Sequence, residues 1–436
     1  MSLNSQTKNV LGWTAIILIS LIPVLLFFAF GSGASGFNDF SSSLYTLGRI
    51  FALVGVTLFT LNFILSTRLK FLEEIFGGLD KVYLVHGIVG GIAFMFILAH
   101  PIFLVANLIP QHFVQAASYF IPGGILALDF GLIAIVGLIT LIFVTFFTRM
   151  KYNHWKFTHE FMGGIFALVI LHMLTVDDIA IDNIFIGYRF FVLAIALIGG
   201  GAIVYSWIIR KKYKKYPMYK IINIKINKNI FELQLEPESN QIQYQSGQFV
   251  FLRFYNQNLT KEPHPFSIAS KSNERIVKVA IKESGDFTEK LTDLKVGDRV
   301  SIEGPYGKFN FKNFGNKKQV WIAGGIGITP FLGMLDELRE NPDADIILFY
   351  TFRENYIVDK EVLEKISKIK NLKFIPWNSE KRGRITIGKI IETEGNLKDR
   401  EVLICGPINL KESMIKELKE LGINKNKIHE EVFDLK

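Results

Sequence analysis

Two apolar stretches decide the architecture: residues 82–107, VYLVHGIVGGIAFMFILAHPIFLVAN, and residues 157–176, FTHEFMGGIFALVILHMLTV. A bilayer core takes about 20 apolar residues of helix, so each stretch can cross a membrane once. Each carries a histidine near either end, His86 and His100 in the first, His159 and His172 in the second. At about 1.5 Å per residue, both gaps separate their histidines by roughly 20 Å, most of a bilayer. Pairing across the two helices gives an inner couple, His86 with His159, and an outer couple, His100 with His172. Two facing imidazoles can ligate one haem iron from both sides, so the four could hold two stacked b-type haems, with axial ligation as a lever on their potentials. Fourteen helical steps bring His100 within about 40° of His86, whereas thirteen leave His172 about 140° from His159, so the second helix needs a bend, a bulge or a different approach angle. Gly87, Gly90, Gly91, Gly163 and Gly164 let a flat macrocycle lie close to the backbone, although such glycines also serve plain helix packing in membranes. The alternative from another class is a transporter whose histidines relay protons.

Working outward, four further spans fit the same length, giving six at 10–30, 44–66, 82–107, 123–147, 157–176 and 184–209. Lys8, then Arg68, Lys70 and Lys81, then Arg149, Lys151 and Lys156, then the run Arg210, Lys211, Lys212, Lys214, Lys215 fall on one side; Asp39, His112, Asp177, Asp178 and Asp182 fall on the other. The positive-inside rule therefore places the N-terminus, the two basic loops and everything after residue 209 in the cytoplasm. The first apolar stretch lacks a cleavage pattern and is expected to be a retained helix. Arg49, Asp129 and Arg189 are charges within or at the ends of spans, positions that are costly unless paired or functional.

Of the 436 residues, the first 209 carry nine basic and nine acidic side chains, so the net +9 belongs to the rest. The densest basic run directly follows an apolar segment, which favours a membrane surface over nucleic acid. One cysteine, Cys405, excludes an internal disulfide and a cysteine-based metal site.

After the basic run come short alternating strands at 219–226, 230–236, 248–254, 276–282 and 299–303, a pattern that predicts a small antiparallel barrel. Into it falls His264-Pro265-Phe266-Ser267, which offers an imidazole for a phosphate, an aromatic face for a flat ring and a hydroxyl for a ring nitrogen. From about residue 318 strands alternate with helices, predicting a parallel doubly wound sheet. Its first strand leads into Gly324-Gly325-Ile326-Gly327-Ile328-Thr329-Pro330, where glycines permit close approach, Thr329 is expected to cap the next helix and Pro330 suits its first turn, together a diphosphate site. Arg353, ending the second strand, is a candidate for the extra phosphate of NADPH, with Lys381, Arg382 and Arg384 as further candidates. Cys405-Gly406-Pro407 ends the last strand at a carboxyl edge, where open α/β sheets bind ligands. Phe433 is expected either to cover the flavin or to join the core.

These pieces resemble the NADPH oxidase and ferric reductase family, a six-helix di-haem domain fused to a ferredoxin-NADP reductase-like module, over nearly the whole chain. The histidine spacings, the flavin stretches His264 to Ser267 and Gly285-Asp286-Phe287-Thr288, the turn Gly304-Pro305-Tyr306-Gly307, and the nicotinamide-cofactor stretches at 324–330 and 405–407 carry the resemblance. It implies a multidomain membrane protein: a transmembrane bundle over 1–212, an FAD-binding β-barrel over 217–314 and an α/β NAD(P)H-binding domain over 316–436. It also implies that NADPH, or NADH, reduces FAD in the cytoplasm and that electrons pass singly through the inner and outer haems to an external acceptor. Ligands for iron would be the four histidines. Lys282, Gly285 and Thr288 join the flavin contacts; Ser267, Cys405, Phe433 and Arg49 would serve the chemistry. Oxygen-reducing relatives frame the acceptor with an arginine, which Arg49 matches, and a histidine, which is Leu104 here. An aromatic thought to lie between the haems is Ile165 here, with Phe166 and Phe94 nearby. The expected acceptor is therefore oxygen, yielding superoxide, with a ferric chelate as the alternative, to which Asp177, Asp178 and Asp182 lend support. Without an EF-hand, neither calcium control nor an obligatory protein partner is expected.

Overall fold

The computed structural model describes residues 5–30, 36–109, 112–123, 125–148, 150–176, 185–315, 317–353 and 360–431. It divides into two compact units, Met1–Phe76 with Lys81–Lys214, and Gly77–Asp80 with Lys215–Lys436.

The first unit is helical: α1 (Ser5–Phe30), α2 (Phe40–Leu65), α3 (Lys70–Phe76), α4 (Leu79–Leu108), α5 (Phe113–Ser118), α6 (Leu126–Phe147), α7 (Tyr152–Glu160), α8 (Met162–Thr175) and α9 (Phe185–Val204), which runs into a π-helical end at Tyr205–Tyr213. Six helical segments are long and apolar enough to cross a membrane: Thr7–Ala29, Phe40–Leu65, Leu79–Leu108, Leu126–Phe147, Tyr152–Thr175 and Gly187–Arg210. Their outward residues, such as Leu25, Phe146 and Leu197, are large, apolar and exposed, as a lipid-facing surface requires. Contacts between helices use small residues: a Cβ on Gly55 of α2 would come within 2.9 Å of Ile97 on α4. The fifth span is broken. α7 ends at Glu160 and α8 starts at Met162, with the Phe161 amide bonded back to Thr158 O at 3.1 Å. That interruption, at a residue that keeps right-handed helical dihedrals, lies between His159 and His172.

The second unit holds two sheets. β1 (Met218–Asn227), β2 (Ile230–Pro237), β3 (Phe249–Tyr255), β4 (His264–Ser267), β5 (Val277–Lys282) and β6 (Arg299–Tyr306) form an antiparallel sheet in the order β4-β3-β6-β1-β2-β5. Alternating residues such as Phe231, Leu233, Leu252, Phe254 and Val300 turn inward to one buried cluster. The expected barrel is not closed by a continuous ladder among the described residues. Its edges meet at a single Ile268–Val279 bridge, beside a 2.7 Å bond from the Ala269 amide to Lys278 O. β4 spans only the four residues of the His264 motif, and all four pair with β3.

The second sheet contains β7 (Lys318–Gly324), β8 (Asp345–Phe352), β9 (Leu372–Asn378), β10 (Glu401–Cys405) and β11 (Ile428–Glu430), with α10 (Thr329–Leu338), α11 (Lys360–Ser367), α12 (Ser379–Arg382), α13 (Ile387–Glu394) and α14 (Ile408–Glu420) around it. All its pairings are parallel, in the order β11-β10-β7-β8-β9, and each face has its own buried cluster, as a covered parallel sheet must. The chain departs from β7 to one side for β8 and β9 and returns on the other for β10, so the β7–β10 crevice is the topological switch point.

The two sheets of this unit are joined by buried contacts. Gly333 of α10 lies so close to Ser270 that a Cβ would stand 2.3 Å from its carbonyl oxygen. Glu337, only 1% exposed, accepts the Ser272 amide at 3.1 Å and the Ser272 hydroxyl and pairs with Lys312 Nζ at 2.5 Å. Burial alone would raise its pKa, but hydrogen bonds from Lys312, Ser272 and Ser246 outweigh that, and the carboxyl titrates below the usual carboxylate range. A carboxyl with a depressed folded pKa contributes stability that is complete above its unfolded pKa and is lost as pH falls through the folded one. Glu337→Gln should therefore cost about 1–3 kcal/mol at neutral pH. It should also flatten the acid side of the stability curve below about pH 4. Thermal unfolding followed across pH checks both; a variant with the parental curve would show that the contact contributes nothing.

Candidate functional site

The two histidine couples come together as matched depths require. Ring centroids of His86 and His159 are 6.1 Å apart, and those of His100 and His172 are 6.4 Å apart. A metal–imidazole bond is about 2 Å, so two coordinating nitrogens sharing one metal stand about 4 Å apart. Adding each ring's own radius accounts for the observed separations. Three rings are fixed by the nitrogen that would not bind metal: His86 Nδ1 donates to Asn62 O at 3.1 Å, His100 Nδ1 to Gly48 O at 2.9 Å and His172 Nδ1 to Ala127 O at 2.7 Å. Because a carbonyl only accepts, Nδ1 carries the proton and Nε2 keeps a lone pair, the tautomer that a metal ligand needs. His159 Nδ1 has a longer contact, 3.5 Å, with Thr145 Oγ1.

The glycines divide by role. A Cβ on Gly87, Gly91 or Gly164 would meet nothing within 4 Å, whereas Gly90 stands against the Asn62 amide and Gly163 against the Trp207 ring. Only the first three leave space for a macrocycle; the other two serve packing. Gly131 of α6 was not anticipated: a Cβ there would lie 2.9 Å from His172 Nδ1 and 3.0 Å from Cε1. Its only sequence signal is a small residue at the depth of an outer histidine. Gly131→Ala should displace the His172 ring and disturb the outer couple alone, checked by the absorption and magnetic spectra of the two sites; an unaltered outer site would contradict this packing.

The other span residues have local settings. Arg49 lies over the rings of Phe27 at 4.9 Å and Tyr45 at 5.6 Å, and its neighbour Gly48 supplies the carbonyl that holds His100. Leu104 packs towards Gly48. Asp129 accepts the Gly123 amide at 2.9 Å at the start of α6, a structural role, and Arg189 is exposed on α9. Ile165 packs on Gly137 of α6, and Phe166 is buried against Phe59, Phe63 and Gly199.

In the antiparallel sheet, the two flavin stretches meet: His264 stacks on Phe287 with centroids 3.6 Å apart and planes at 21°. Ser267 is 5% exposed, and its hydroxyl is buried without a hydrogen-bond partner. An orphaned buried hydroxyl costs free energy until a ligand pairs it, which fits a flavin ring nitrogen. Pro265 and Phe266 are half-buried beside it. Thr288 accepts the Ser284 amide at 2.6 Å and donates to Gly285 O at 3.0 Å, so it shapes the turn, where Gly285 has φ 109°. Lys282 is exposed at the end of β5.

At the switch point, the two nucleotide loops pack backbone to backbone. A Cβ on Gly327 would stand 2.3 Å from Cys405 O, one on Gly406 would stand 3.1 Å from Gly324 Cα, and one on Gly324 would meet Leu410 and Pro407. Gly325 alone has a positive φ, 54°. Thr329 does not cap α10 as expected. The cap position is Ile328, and the Thr329 hydroxyl donates to Ile326 O at 2.7 Å within a short 3-10 turn; Pro330 does sit in the first turn. Cys405 is fully buried in the core cluster, and burial pushes its thiol well up from the ordinary range, so the side chain is a neutral packing group in this arrangement. Arg384 reaches the first turn of α14, donating to Asn409 O at 2.5 Å. Arg353 is exposed at the carboxyl end of β8, and Arg382 lies over Trp377. Phe433, Arg149, Asp177, Asp178 and Asp182 lie outside the described residues.

Comparison with known proteins agrees with this division. Residues 51–174 match the family of the ferric reductase like transmembrane component, 214–310 an FAD-binding domain and 321–416 an oxidoreductase NAD-binding domain. The reductase component of propane 2-monooxygenase from Rhodococcus jostii is 29% identical over 228 residues, 48% of this chain and 60% of that protein. Flavohemoprotein B of Dictyostelium discoideum is 31% identical over 189 residues, 38% of this chain and 44% of that protein. The chain thus spans about half the length of such relatives. A flavohemoglobin structure from Malassezia yamatoensis with bound FAD and heme, 19% identical, aligns over 90% of this chain and 97% of its own with a TM-score of 0.50, a likeness of fold alone. A ferric-reductase-like transmembrane component followed by an FAD-binding domain and an oxidoreductase NAD-binding domain gives this chain the NADPH oxidase and ferric reductase-like architecture.

Proposed function

We propose that the protein takes electrons from cytoplasmic NAD(P)H and delivers them across the plasma membrane to oxygen outside the cell, producing superoxide. The observation that carries this reading is the pair of histidine couples, three of whose rings present Nε2 through Nδ1–carbonyl bonds. When bound, FAD would accept hydride and release electrons singly, and two b-type haems would carry them across the bilayer. His86 and His159 would hold the inner haem, His100 and His172 the outer one. Ser267 would donate to the flavin ring, with His264, Pro265 and Phe266 beside it. The Gly324–Pro330 turn and Gly406 would shape the diphosphate site, and Arg353 and Arg384 would face the extra phosphate of NADPH. We place the domain boundaries at 1–212, 217–314 and 316–436, with both termini cytoplasmic. An outward electron gains about 2.3 kcal/mol per 100 mV of interior-negative potential, so the orientation favours export.

Arg49 supports an acceptor site beside the outer couple. The Leu104 side chain brings no proton-donating group there, and that supports a second reading, reduction of a ferric chelate. Cytochrome c reduction by purified holoprotein with NADPH, with and without superoxide dismutase, tests the choice. Dismutase-sensitive reduction is expected. Dismutase-insensitive reduction together with rapid ferric citrate reduction under argon would move the protein to the ferric reductase side.

A further inference from the structure

The four histidines are not held alike. His86, His100 and His172 each donate from Nδ1 to a backbone carbonyl at 3.1, 2.9 and 2.7 Å, but the His159 contact is with a side-chain hydroxyl at 3.5 Å. That hydroxyl, on Thr145, donates its own proton to Leu141 O at 2.7 Å, so it can offer His159 only a distant lone pair. A separation this long is a weak hydrogen bond at best and fixes little orientation. His159 also stands two residues before the Phe161 turn that joins α7 to α8.

What His159 has instead is an aromatic wall. The Trp155 indole lies four residues earlier on the same face of α7, parallel to the imidazole within 12° and with centroids 5.3 Å apart. Trp155 is in turn stacked on Tyr152 at 5.8 Å and 29°. Among the described ring contacts, the other three histidines touch only their opposite histidine.

We propose that Trp155, backed by Tyr152, is the positioning residue of His159, setting the plane of its imidazole as carbonyls do for the other three. The proposal rests on the reading of His86 and His159 as ligands of an inner haem. Partners of metal-ligating histidines fix ring orientation and tune ligand basicity. Loss of the indole should therefore alter the electronic signature of one site before it alters haem content.

The test is electron paramagnetic resonance and a redox titration of the ferric holoprotein, on Trp155→Leu, Trp155→Phe and Thr145→Val, with His159→Leu as reference. Trp155→Leu is expected to shift the low-spin signal and midpoint potential of one haem, leaving the other at its parental values. Trp155→Phe, which keeps a ring, should give a smaller shift of the same signal, and Thr145→Val almost none. Parental spectra and potentials in Trp155→Leu, or a larger shift in Thr145→Val, would overturn the proposal. Should Trp155→Leu fail to fold, Trp155→Phe decides alone: a shift confined to one haem supports the assignment, and an unshifted spectrum overturns it. Retention of both haems by His159→Leu would overturn the underlying haem reading, a result distinct from failure of the Trp155 proposal.

Discussion

Replacing His100 with leucine is expected to abolish delivery of electrons to the outside while leaving reduction of the flavin by NAD(P)H intact. Leucine fills much the same space on α4 but has no metal-binding nitrogen, and it leaves Gly48 O without the donor now 2.9 Å away. Gly48 lies inside α2 and its carbonyl keeps its helical hydrogen bond, so loss of this second donor costs about 0.5–1.5 kcal/mol, too little to unfold a six-span bundle. The functional loss should be far larger. Even outer partners of metal ligands are worth roughly 10–100-fold, so removing a ligand should lower external acceptor reduction by more than about 100-fold. The flavin and nucleotide sites belong to a separate compact unit and should not change. Haem content per chain should halve, as measured by pyridine haemochrome, and flavin reduction in an anaerobic mixing experiment should keep its parental rate. A variant with full haem content and normal activity would sink the assignment of the outer couple.

Gly327→Ala should have the second largest effect, at the opposite end of the chain. The added methyl would lie 2.3 Å from Cys405 O, 2.6 Å from Cys405 C and 2.7 Å from Gly406 N. All three are backbone atoms at the carboxyl end of β10, so no side-chain rotation relieves the clash. Overpacking of this kind costs about 1–3 kcal/mol. Because the two loops that meet here line the switch point, separating them moves both halves of the proposed nucleotide site. A displacement of about 1 Å can cost roughly 100-fold in rate, and that is the expected loss in NAD(P)H-dependent flavin reduction. FAD content and the dithionite-reduced haem spectrum should stay parental. Gly388→Ala is the control, since the nearest atom to its added methyl is Thr386 Oγ1 at 3.8 Å on the regular helix α13. Parental hydride transfer in Gly327→Ala would contradict the loop packing.

Much of the fold was legible in the sequence because its signals are long-range patterns of hydropathy and charge. Six spans follow from length and apolarity, and the meeting of His86 with His159 and of His100 with His172 follows from equal depths on two helices. The thirteen-residue gap calls for a bend, a bulge or a different approach angle, since a straight helix cannot place His159 and His172 on one face, and the Phe161 turn lies inside that gap. Other features have no sequence signature. The acceptors at Asn62, Gly48 and Ala127 are main-chain carbonyls, which every residue possesses. Gly131 and Trp155 act through neighbours that only packing reveals. Thr329 has the right chemistry for a cap, yet the short 3-10 turn before it shifts the helix start by one residue and sends its hydroxyl to Ile326 O. Closure of the antiparallel sheet depended on how far β4 could pair with β5, a tertiary outcome that strand patterns leave open.

The central claim, that NAD(P)H electrons reach two bis-histidine haems within one chain, is tested most directly by mixing purified holoprotein with NADPH under argon and recording its visible spectrum. The account predicts flavin bleaching followed by the spectrum of reduced low-spin b-type haem, with an amplitude equal to two haems per chain. A protein that binds no haem, or whose haem stays ferric after the flavin is reduced, would contradict it.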